Sequence, residues 1–256
     1  LDEVYESYLK NLKRFYKLNK KHFIDLNKNN KSPNYFLLNK LTNSESNIKI
    51  KSGADLKVYS DLDGDRLWIK FKKRIFSAEE VLYVILKIGN YKKVGIPINF
   101  HKKILEKFPE IEFVFLPTGH TNIKRAYLKY SLDFAMEPTF HFYFFRELKT
   151  EAPILALLKL LEFDEKIGLD KLFLENFIVK RFTIKRNLDI ARIIKIFQDD
   201  KYKVKKFDGI YIYKKNKNFF AGVHIRKSKT EINTFRVFIE SDNKNILKLI
   251  EKKIKK

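Results

Sequence analysis

The sequence contains no cysteine, which excludes disulfide bonds and thiolate chemistry. No apolar run approaches the roughly 20 residues that a membrane-spanning helix needs, and no secretory signal peptide is visible. These absences lead us to expect a cytoplasmic protein without a membrane partner. Met136 is the only methionine and the sequence begins with Leu1, so we expect either an unusual start codon or a piece of a longer protein.

What the sequence does contain is typical of a globular protein. Of its 256 residues, 45% are hydrophobic and 15% aromatic. Its net charge is 54 − 31 = +23, which favours anionic partners: nucleic acid, phosphorylated metabolites or an acidic membrane surface. The lysines are spread along the chain, so a generally lysine-rich composition explains the charge equally well.

Strand-like and helix-like patterns alternate through the middle of the chain. Strands are indicated at 54–60, 66–71, 94–98, 111–115 and 140–145, and helices at 77–89, 101–108, 121–130 and 152–163. Ser77 and Glu80 form a capping box at the start of the first of these helices, and we expect Gly89 to end it. The alternation predicts an α/β class, with three-layer α/β/α packing around a mostly parallel or mixed sheet.

The two ends of the chain show other patterns. Apolar residues in 1–20 have helical spacing, whereas 27–52 is rich in Asn, Lys and Ser and is predicted to be mostly loop. After about residue 175, a helix, three strands and a last helix are indicated at 187–198, 208–215, 219–225, 234–240 and 243–256. That order predicts a small C-terminal α+β domain.

An acidic cluster, SDLDGDRL at 60–67, stands out in this basic chain. Its Asp-Gly step between two strand patterns is typical of a hairpin turn. An EF-hand is excluded, because Arg66 and Lys72 stand where that loop requires Gly and Glu. A second interpretation, which stays open beside the hairpin turn, is a loop whose carboxylates hold one Mg²⁺ ion. Its ligands would be Asp61, Asp63 and Asp65.

Four segments, in order, resemble motifs of the α-D-phosphohexomutases, the family of phosphomannomutases, phosphoglucomutases and phosphoglucosamine mutases. GADLKVYSDLDGDRLWI resembles the metal loop D-x-D-x-D-R, and PTGHTNIKRAY resembles the opening of the third domain. FAMEPTFHFYF resembles the sugar loop G-E-x-S-G-H. DGIYIY followed by HIRKSKTEINTFRVFIES resembles the fourth domain with its phosphate loop R-x-S-G-T-E-P. The resemblance covers about residues 53–256.

The resemblance implies an isomerase of the phosphomutase type, which acts on glucose, mannose or glucosamine 1- and 6-phosphates with Mg²⁺. The metal would bind to Asp61, Asp63 and Asp65. The groups near the transferring phosphoryl would be Arg66, His120 and Lys124. The sugar hydroxyls would contact Glu137, Thr139 and His141. The phosphate that is not transferred would bind to Arg226, Ser228 and Thr230.

The resemblance also implies a domain division. Residues 1–75 would be a shortened second domain with the metal loop, 76–175 the third domain and 176–256 the fourth. The catalytic serine motif T-A-S-H-N-P does not occur in the sequence. We therefore expect that the first domain is lacking, that this chain alone is inactive, and that a separate polypeptide could carry the first domain.

Several positions depart from the family pattern. Phe140 replaces a small residue in the sugar loop, and TEAP at 150–153 replaces an Asp-Gly before the apolar helix. Lys229 stands where glycine is usual; a left-handed backbone there would cost a side chain about 1–2 kcal/mol. His22, His101 and His224 match no functional motif and are interpreted as surface or structural residues.

Two alternatives to a mutase remain from the sequence. One is a non-catalytic protein that binds phosphosugars. The other is a basic protein that binds nucleic acid, which we do not expect, because the sequence has no zinc-ligand set, no RNA-recognition consensus and no compact basic-aromatic stripe.

Overall fold

A computed structural model of the chain describes residues 2–26, 32–44, 47–172, 178–216 and 219–255. Its helices are α1 Asp2–Leu12, α2 Pro33–Ser44, α3 Ala78–Gly89, α4 Lys102–Leu105, α5 His120–Tyr130, α6 Pro153–Lys166, α7 Ile190–Asp199 and α8 Lys244–Lys255. Its strands are β1 His22–Leu26, β2 Ile48–Ile50, β3 Leu56–Ser60, β4 Leu67–Phe71, β5 Arg74–Ile75, β6 Lys93–Pro97, β7 Glu112–Leu116, β8 Phe134–Met136, β9 Phe142–Phe144, β10 Thr150–Glu151, β11 Ile178–Lys185, β12 Lys203–Lys206, β13 Ile210–Asn216, β14 Phe219–Lys227 and β15 Thr234–Ser241. None of the helices in these ranges is both long and apolar enough to cross a bilayer.

The described strands form three five-stranded sheets. The first has the order β2-β1-β3-β4-β5; β1 is parallel to β2 and β3, while β3, β4 and β5 are antiparallel. The second has the order β10-β9-β8-β6-β7, with β6 parallel to β8 and β9 antiparallel to both its neighbours. The third, β11-β15-β14-β13-β12, is antiparallel. The predicted α/β class with an additional α+β domain is confirmed.

The chain divides into two compact units. The first comprises Leu1–Pro97, Phe108–Val114 and His120–Phe173, and the second comprises Ile98–Lys107, Phe115–Gly119 and Leu174–Lys256. Two short segments from the middle of the chain therefore belong with the C-terminal sheet.

Helix α6 is the centre of the first unit. Its residues 153–163 are all buried and are apolar except for the ion pair of Lys159 and Glu162. Ile154, Leu157 and Leu161 are fully buried. Helix α3 packs against it. The predicted capping box of α3 is present, but the left-handed residue that ends this helix is Asn90, with φ 49°, and not Gly89.

The second unit has its own core. Helices α7 and α8 cover one face of the antiparallel sheet with an apolar stripe that repeats at helical spacing. The fully buried members of this core include Phe197, Ile212, Val223, Ile239 and Ile250.

The prediction that 27–52 is mostly loop is wrong for 32–44 and 47–52, and the rest of the range lies outside the described residues. Helix α2 and strand β2 lie in this range, and β1 directly precedes it. The polar composition concealed α2, whose buried residues Leu37, Leu38 and Leu41 have helical spacing. Helix α4 is shorter than its pattern, because it stops before the Phe108-Pro109 step that disfavours helix.

Candidate functional site

The acidic cluster is the connection between β3 and β4. These strands are antiparallel, and their last pair is Ser60 with Leu67, so residues 61–66 form a hairpin loop. The hairpin and the metal loop are therefore compatible interpretations of the same residues. Within the loop, carboxylate oxygens of three side chains lie within 4.8 Å of one another. They belong to Asp61, Asp63 and Asp65.

Helix α2 holds this loop in place. Nδ2 of the buried Asn34 donates to Ser60 Oγ at 2.9 Å and to the carbonyl of Gly64 at 2.9 Å. Gly64 has a φ of 75°, and a Cβ there would lie 2.9 Å from Pro33 Cδ. A side chain at this position would therefore meet both backbone strain and the start of α2. Ser60 Oγ in turn donates to the carbonyl of Arg66 at 3.0 Å.

The donor set of the loop fits Mg²⁺. Three carboxylates supply the hard oxygen ligands that this ion prefers. Oδ1 of Asp65 is buried and has no hydrogen-bond partner among the described residues, so a cation would satisfy it. Arg66 Nε lies 3.4 Å from Asp61 Oδ2 and 3.8 Å from Asp65 Oδ1. One arginine leaves the three carboxylates with a net charge of −2, which a divalent ion would neutralise.

Arg66 also reaches the sugar loop. Its Nε donates to Nε2 of His141 at 2.9 Å, and Nδ1 of the same ring lies 2.6 Å from Oε1 of Glu151. Asp65 Oδ2 lies 3.6 Å from His141 Nδ1. The structure thus brings the predicted metal loop and the predicted sugar loop together at His141. The same ring contacts Glu151, which was not selected from the sequence.

The ionisation of His141 depends on these neighbours. Burial acts to lower its pKa, but the hydrogen bond to Glu151 and the charges of Glu151 and Asp65 outweigh burial, so the pKa of His141 is raised. A protonated ring would carry N–H groups on both nitrogens. The Nε–H of Arg66 would then face another donor, so protonation of His141 requires Arg66 to move.

The sugar loop is a tight turn. Phe140 N donates to the carbonyl of Glu137 at 3.0 Å, and Glu137 N donates to that of His141 at 3.1 Å. Phe140 has a φ of 68°, so the position that is small in the family is left-handed here. The Phe140 ring lies 6.0 Å from that of Trp68, which offsets part of the strain. The side chain of Glu137 is buried and that of Thr139 is exposed.

The two candidates from helix α5 differ in their surroundings. Nδ1 of His120 lies 3.4 Å from the hydroxyl of Tyr143. Burial, and then the charges of Glu151 and other nearby carboxylates, raise the pKa of Tyr143, so its hydroxyl stays protonated. Lys124 is exposed and forms no hydrogen bond or ion pair with the described residues. The structure links His120, but not Lys124, to the buried part of the site.

The candidate phosphate loop belongs to the second unit. Ser228 Oγ accepts from Thr230 N at 3.4 Å and from Glu231 N at 3.2 Å, so its hydroxyl organises the turn after β14. Thr230 is exposed. The guanidinium of Arg226 forms no hydrogen bond or ion pair with the described residues, which leaves it available to an anion.

Lys229 does not have the left-handed backbone that we considered; in this loop the positive φ, 50°, is at Asn233. Its Nζ donates to the carbonyl of Thr118 at 2.9 Å. Thr118 in turn donates through both N and Oγ1 to Oδ2 of Asp208, at 2.9 and 3.0 Å. Lys229 thus ties the phosphate loop to the segment before α5.

The three histidines without a motif are structural. His22 Nε2 lies 3.1 Å from Glu165 Oε1, and His101 caps α4 through a bond from Lys103 N. His224 Nε2 donates to the carbonyl of Asp208 at 2.8 Å. All three side chains are buried.

Two residues of the site were not predicted from the sequence. Glu151 lies in the segment TEAP at 150–153, where the sequence departs from the family pattern. The one indication was that Glu151 is acidic where the family has aspartate. Nothing in the sequence pointed to Asn34, because helix α2, which carries it, was not predicted.

The fold that carries this site is similar to solved structures of phosphohexose mutases. A phosphoglucomutase/phosphomannomutase family protein from Burkholderia thailandensis matches 98% of this chain and 63% of its own, with a TM-score of 0.76 and 17% identity. An N-acetylglucosamine-phosphate mutase, a member of the alpha-D-phosphohexomutase superfamily in a substrate complex, matches 98% of this chain and 64% of its own, with a TM-score of 0.63 and 13% identity. The phosphoglucomutase pp63/parafusin from Paramecium, in an open form, matches 78% and 45%, with a TM-score of 0.62 and 14% identity.

These matches establish the class of fold: the chain has the fold of the α-D-phosphohexomutases, as its motifs predicted. It spans less than two thirds of the length of each of these three structures. No family model and no curated protein matches the sequence.

Proposed function

We propose that the chain is the metal-binding, sugar-binding and phosphate-binding part of a phosphohexomutase, an intramolecular phosphotransferase that acts on glucose, mannose or glucosamine 1- and 6-phosphates. The observation that carries this proposal is the convergence of three carboxylates, Arg66 and His141 at the end of the β3–β4 hairpin. The fold supports the same class of activity.

The proposed roles follow from the chemistry of the side chains. Mg²⁺ held by the three aspartates would supply charge neutralisation for a transferring phosphoryl group. Arg66 binds the same group through its guanidinium, and Glu137 and Thr139 orient the sugar through its hydroxyls. His120, whose Nδ1 lies 3.4 Å from the hydroxyl of Tyr143, would act near the transferring phosphoryl as a proton-transfer or electrostatic group. Lys124 contributes only its positive charge.

In the second unit, Arg226 would bind the phosphate that is not transferred. Ser228 shapes the loop and Thr230 offers a hydroxyl donor. A hydrogen bond to a charged group contributes about 1.5–3 kcal/mol, so these residues supply affinity more than chemistry.

The domain division into 1–75, 76–175 and 176–256 is part of the proposal and is supported by one five-stranded sheet in each range. We also propose that these 256 residues alone do not catalyse the mutase reaction, because the catalytic serine motif does not occur in them. A cytoplasmic location and a separate polypeptide with the first domain stay predictions.

Calorimetric titration of the chain with glucose 6-phosphate tests the proposal, with glucose and inorganic phosphate as separate ligands. A phosphohexose site binds the sugar phosphate more tightly than either fragment, because hydroxyls and phosphate are recognised together. Equal affinity for glucose 6-phosphate and inorganic phosphate would contradict it.

A further inference from the structure

The imidazole of His141 is held at both nitrogens, which determines where its proton lies. Arg66 Nε can only donate, so Nε2 at 2.9 Å must accept. The neutral ring then carries its proton on Nδ1, which donates to Glu151 Oε1 at 2.6 Å. Turning the ring over would replace both nitrogens by carbons, so the two contacts also fix the orientation of the ring.

Backbone pairing brings Glu151 to this ring. His141 directly precedes β9, and Glu151 lies in β10, where it pairs with Tyr143 of β9. The carboxylate and the imidazole therefore approach each other across one antiparallel hairpin. The side chain of Glu151 is only 17% exposed, so little water competes for the bond.

The contact of His141 with Arg66 is held less firmly than its contact with Glu151. The Arg66 side chain is 40% exposed, and its two terminal nitrogens form no hydrogen bond with the described residues. Those nitrogens can grip a phosphate in two parallel bonds, and such bonds to a dianion are stronger than one bond to a neutral imidazole. A bound phosphate would therefore draw Arg66 away from His141.

We propose that Glu151 is the positioning residue that holds His141 in its Nδ1–H tautomer, and that Arg66 occupies the Nε2 lone pair until a phosphate group binds to Arg66. The released lone pair then accepts a hydrogen bond from a hydroxyl of the ligand. The step transfers no proton and breaks no covalent bond. It rests on the proposed function only in naming the anion as the phosphate of a hexose phosphate.

The same ring has a competing interpretation, since Asp65, His141 and Glu151 offer ligand atoms within 4.8 Å of one another and could hold a cation. A metal on Nδ1 would move the proton to Nε2, where it would face the Nε–H of Arg66. The hydrogen-bond directions therefore favour a proton on Nδ1 over a metal.

Nitrogen-15 NMR of the histidine side chains in the full chain tests the proposal. The five histidines give five pairs of ring signals, and His141→Gln identifies the pair of interest. The expected result for the free protein is protonated Nδ1 and unprotonated Nε2. In the Arg66→Ala background, where Arg66 no longer donates to Nε2, Glu151→Ala should shift the ring towards the Nε2–H tautomer. Glu151→Gln, whose amide oxygen still accepts, should restore the original tautomer, whereas Glu112→Ala, an exposed control, should change nothing.

The second arm adds inorganic phosphate and then glucose 6-phosphate. With inorganic phosphate the Nε2 signal of the wild type should move as Arg66 leaves, whereas that of Arg66→Ala should not respond, because Arg66 no longer occupies its lone pair. A free protein with the proton on Nε2, or a tautomer that Glu151→Ala does not change in the Arg66→Ala background, would overturn the proposal. So would micromolar Zn²⁺ binding that shifts both ring signals and is lost in Glu151→Ala. Failure of glucose 6-phosphate alone to bind, with the tautomer intact, counts against the proposed function and leaves the role of Glu151 standing.

Discussion

Asn34 of helix α2 donates to the carbonyl of Gly64, inside the acidic loop, at 2.9 Å. The bond joins helix α2, in the polar stretch 27–52, to the loop that carries the three carboxylates of the candidate metal site. Because Asn34 is buried, its amide is shielded from water, and its loss would leave loop oxygens without partners.

We therefore predict that Asn34→Ala loosens the loop. The unfolding free energy should fall by about 1–3 kcal/mol, the cost of unpaired buried polar groups. Mg²⁺ affinity, expected at roughly millimolar for so few carboxylate ligands, should fall as well. Urea unfolding and titration calorimetry measure the two effects.

Asn39→Ala is the matched control for Asn34, because Asn39 lies on the same helix but donates to Tyr35 O at 2.8 Å and not to the loop. It should keep Mg²⁺ binding. The triple change of Asp61, Asp63 and Asp65 to Asn should abolish binding. Unchanged Mg²⁺ binding in the triple variant would remove the loop from the metal site.

At Phe140 we predict that a glycine variant is more stable than an alanine variant, which reverses their usual order of stability. The residue is left-handed, with φ 68°, so Phe140→Ala loses the ring contact and keeps the strain. Phe140→Gly loses the ring and relieves the strain. The glycine variant should be more stable than the alanine variant by about 1 kcal/mol. Urea unfolding of both variants decides the point; an alanine variant of higher stability would show that the turn is not strained.

His224 should make stability depend on pH. Burial lowers its pKa below the ordinary value, so the native state resists a proton that the unfolded chain accepts. Its contribution to stability is complete above about pH 6.5, the unfolded pKa, and is lost as the pH falls from there towards the lower native pKa. The loss is at most roughly 1.4 kcal/mol per pH unit.

The variant His224→Gln isolates this effect, because its amide can still donate to Asp208 O but does not titrate. Thermal unfolding between pH 7 and pH 5 should show a flatter dependence in the variant. Parallel curves for the two proteins would mean that His224 keeps an ordinary pKa when buried.

The sequence predicted the class of fold, and its motifs selected residues that the structure brings together, but it did not predict the residues that support them. The aspartate loop, Arg66 and His141 carried motif information, because their chemistry demands particular residue types in order. Asn34 and Glu151 act through hydrogen bonds across 30 and 10 residues of chain, and such pairing depends on how strands and helices meet. Phe140 is a third example. The sequence shows that it differs from the small residue of the family, but only the backbone shows that this position is left-handed.

We predict no mutase turnover by this chain alone. A coupled assay with glucose 1-phosphate, Mg²⁺ and a hexose bisphosphate activator should give the background rate, because no serine motif is present to carry the phosphoryl group. Turnover that Asp63→Asn abolishes would contradict the prediction and show that another residue here performs the transfer.

Hexose phosphate binding is the most direct test of the account as a whole. Glucose 6-phosphate and a short single-stranded oligonucleotide would be titrated side by side into wild type, Glu137→Ala and Arg226→Ala. The controls are Glu112→Ala, at an exposed glutamate, and Lys227→Ala, at the exposed residue next to Arg226. We predict that each site variant weakens sugar phosphate binding by about 1.5–3 kcal/mol, roughly tenfold to a hundredfold, while the controls do not. Tight, salt-sensitive oligonucleotide binding, no sugar phosphate binding, and no effect of Glu137→Ala would contradict it.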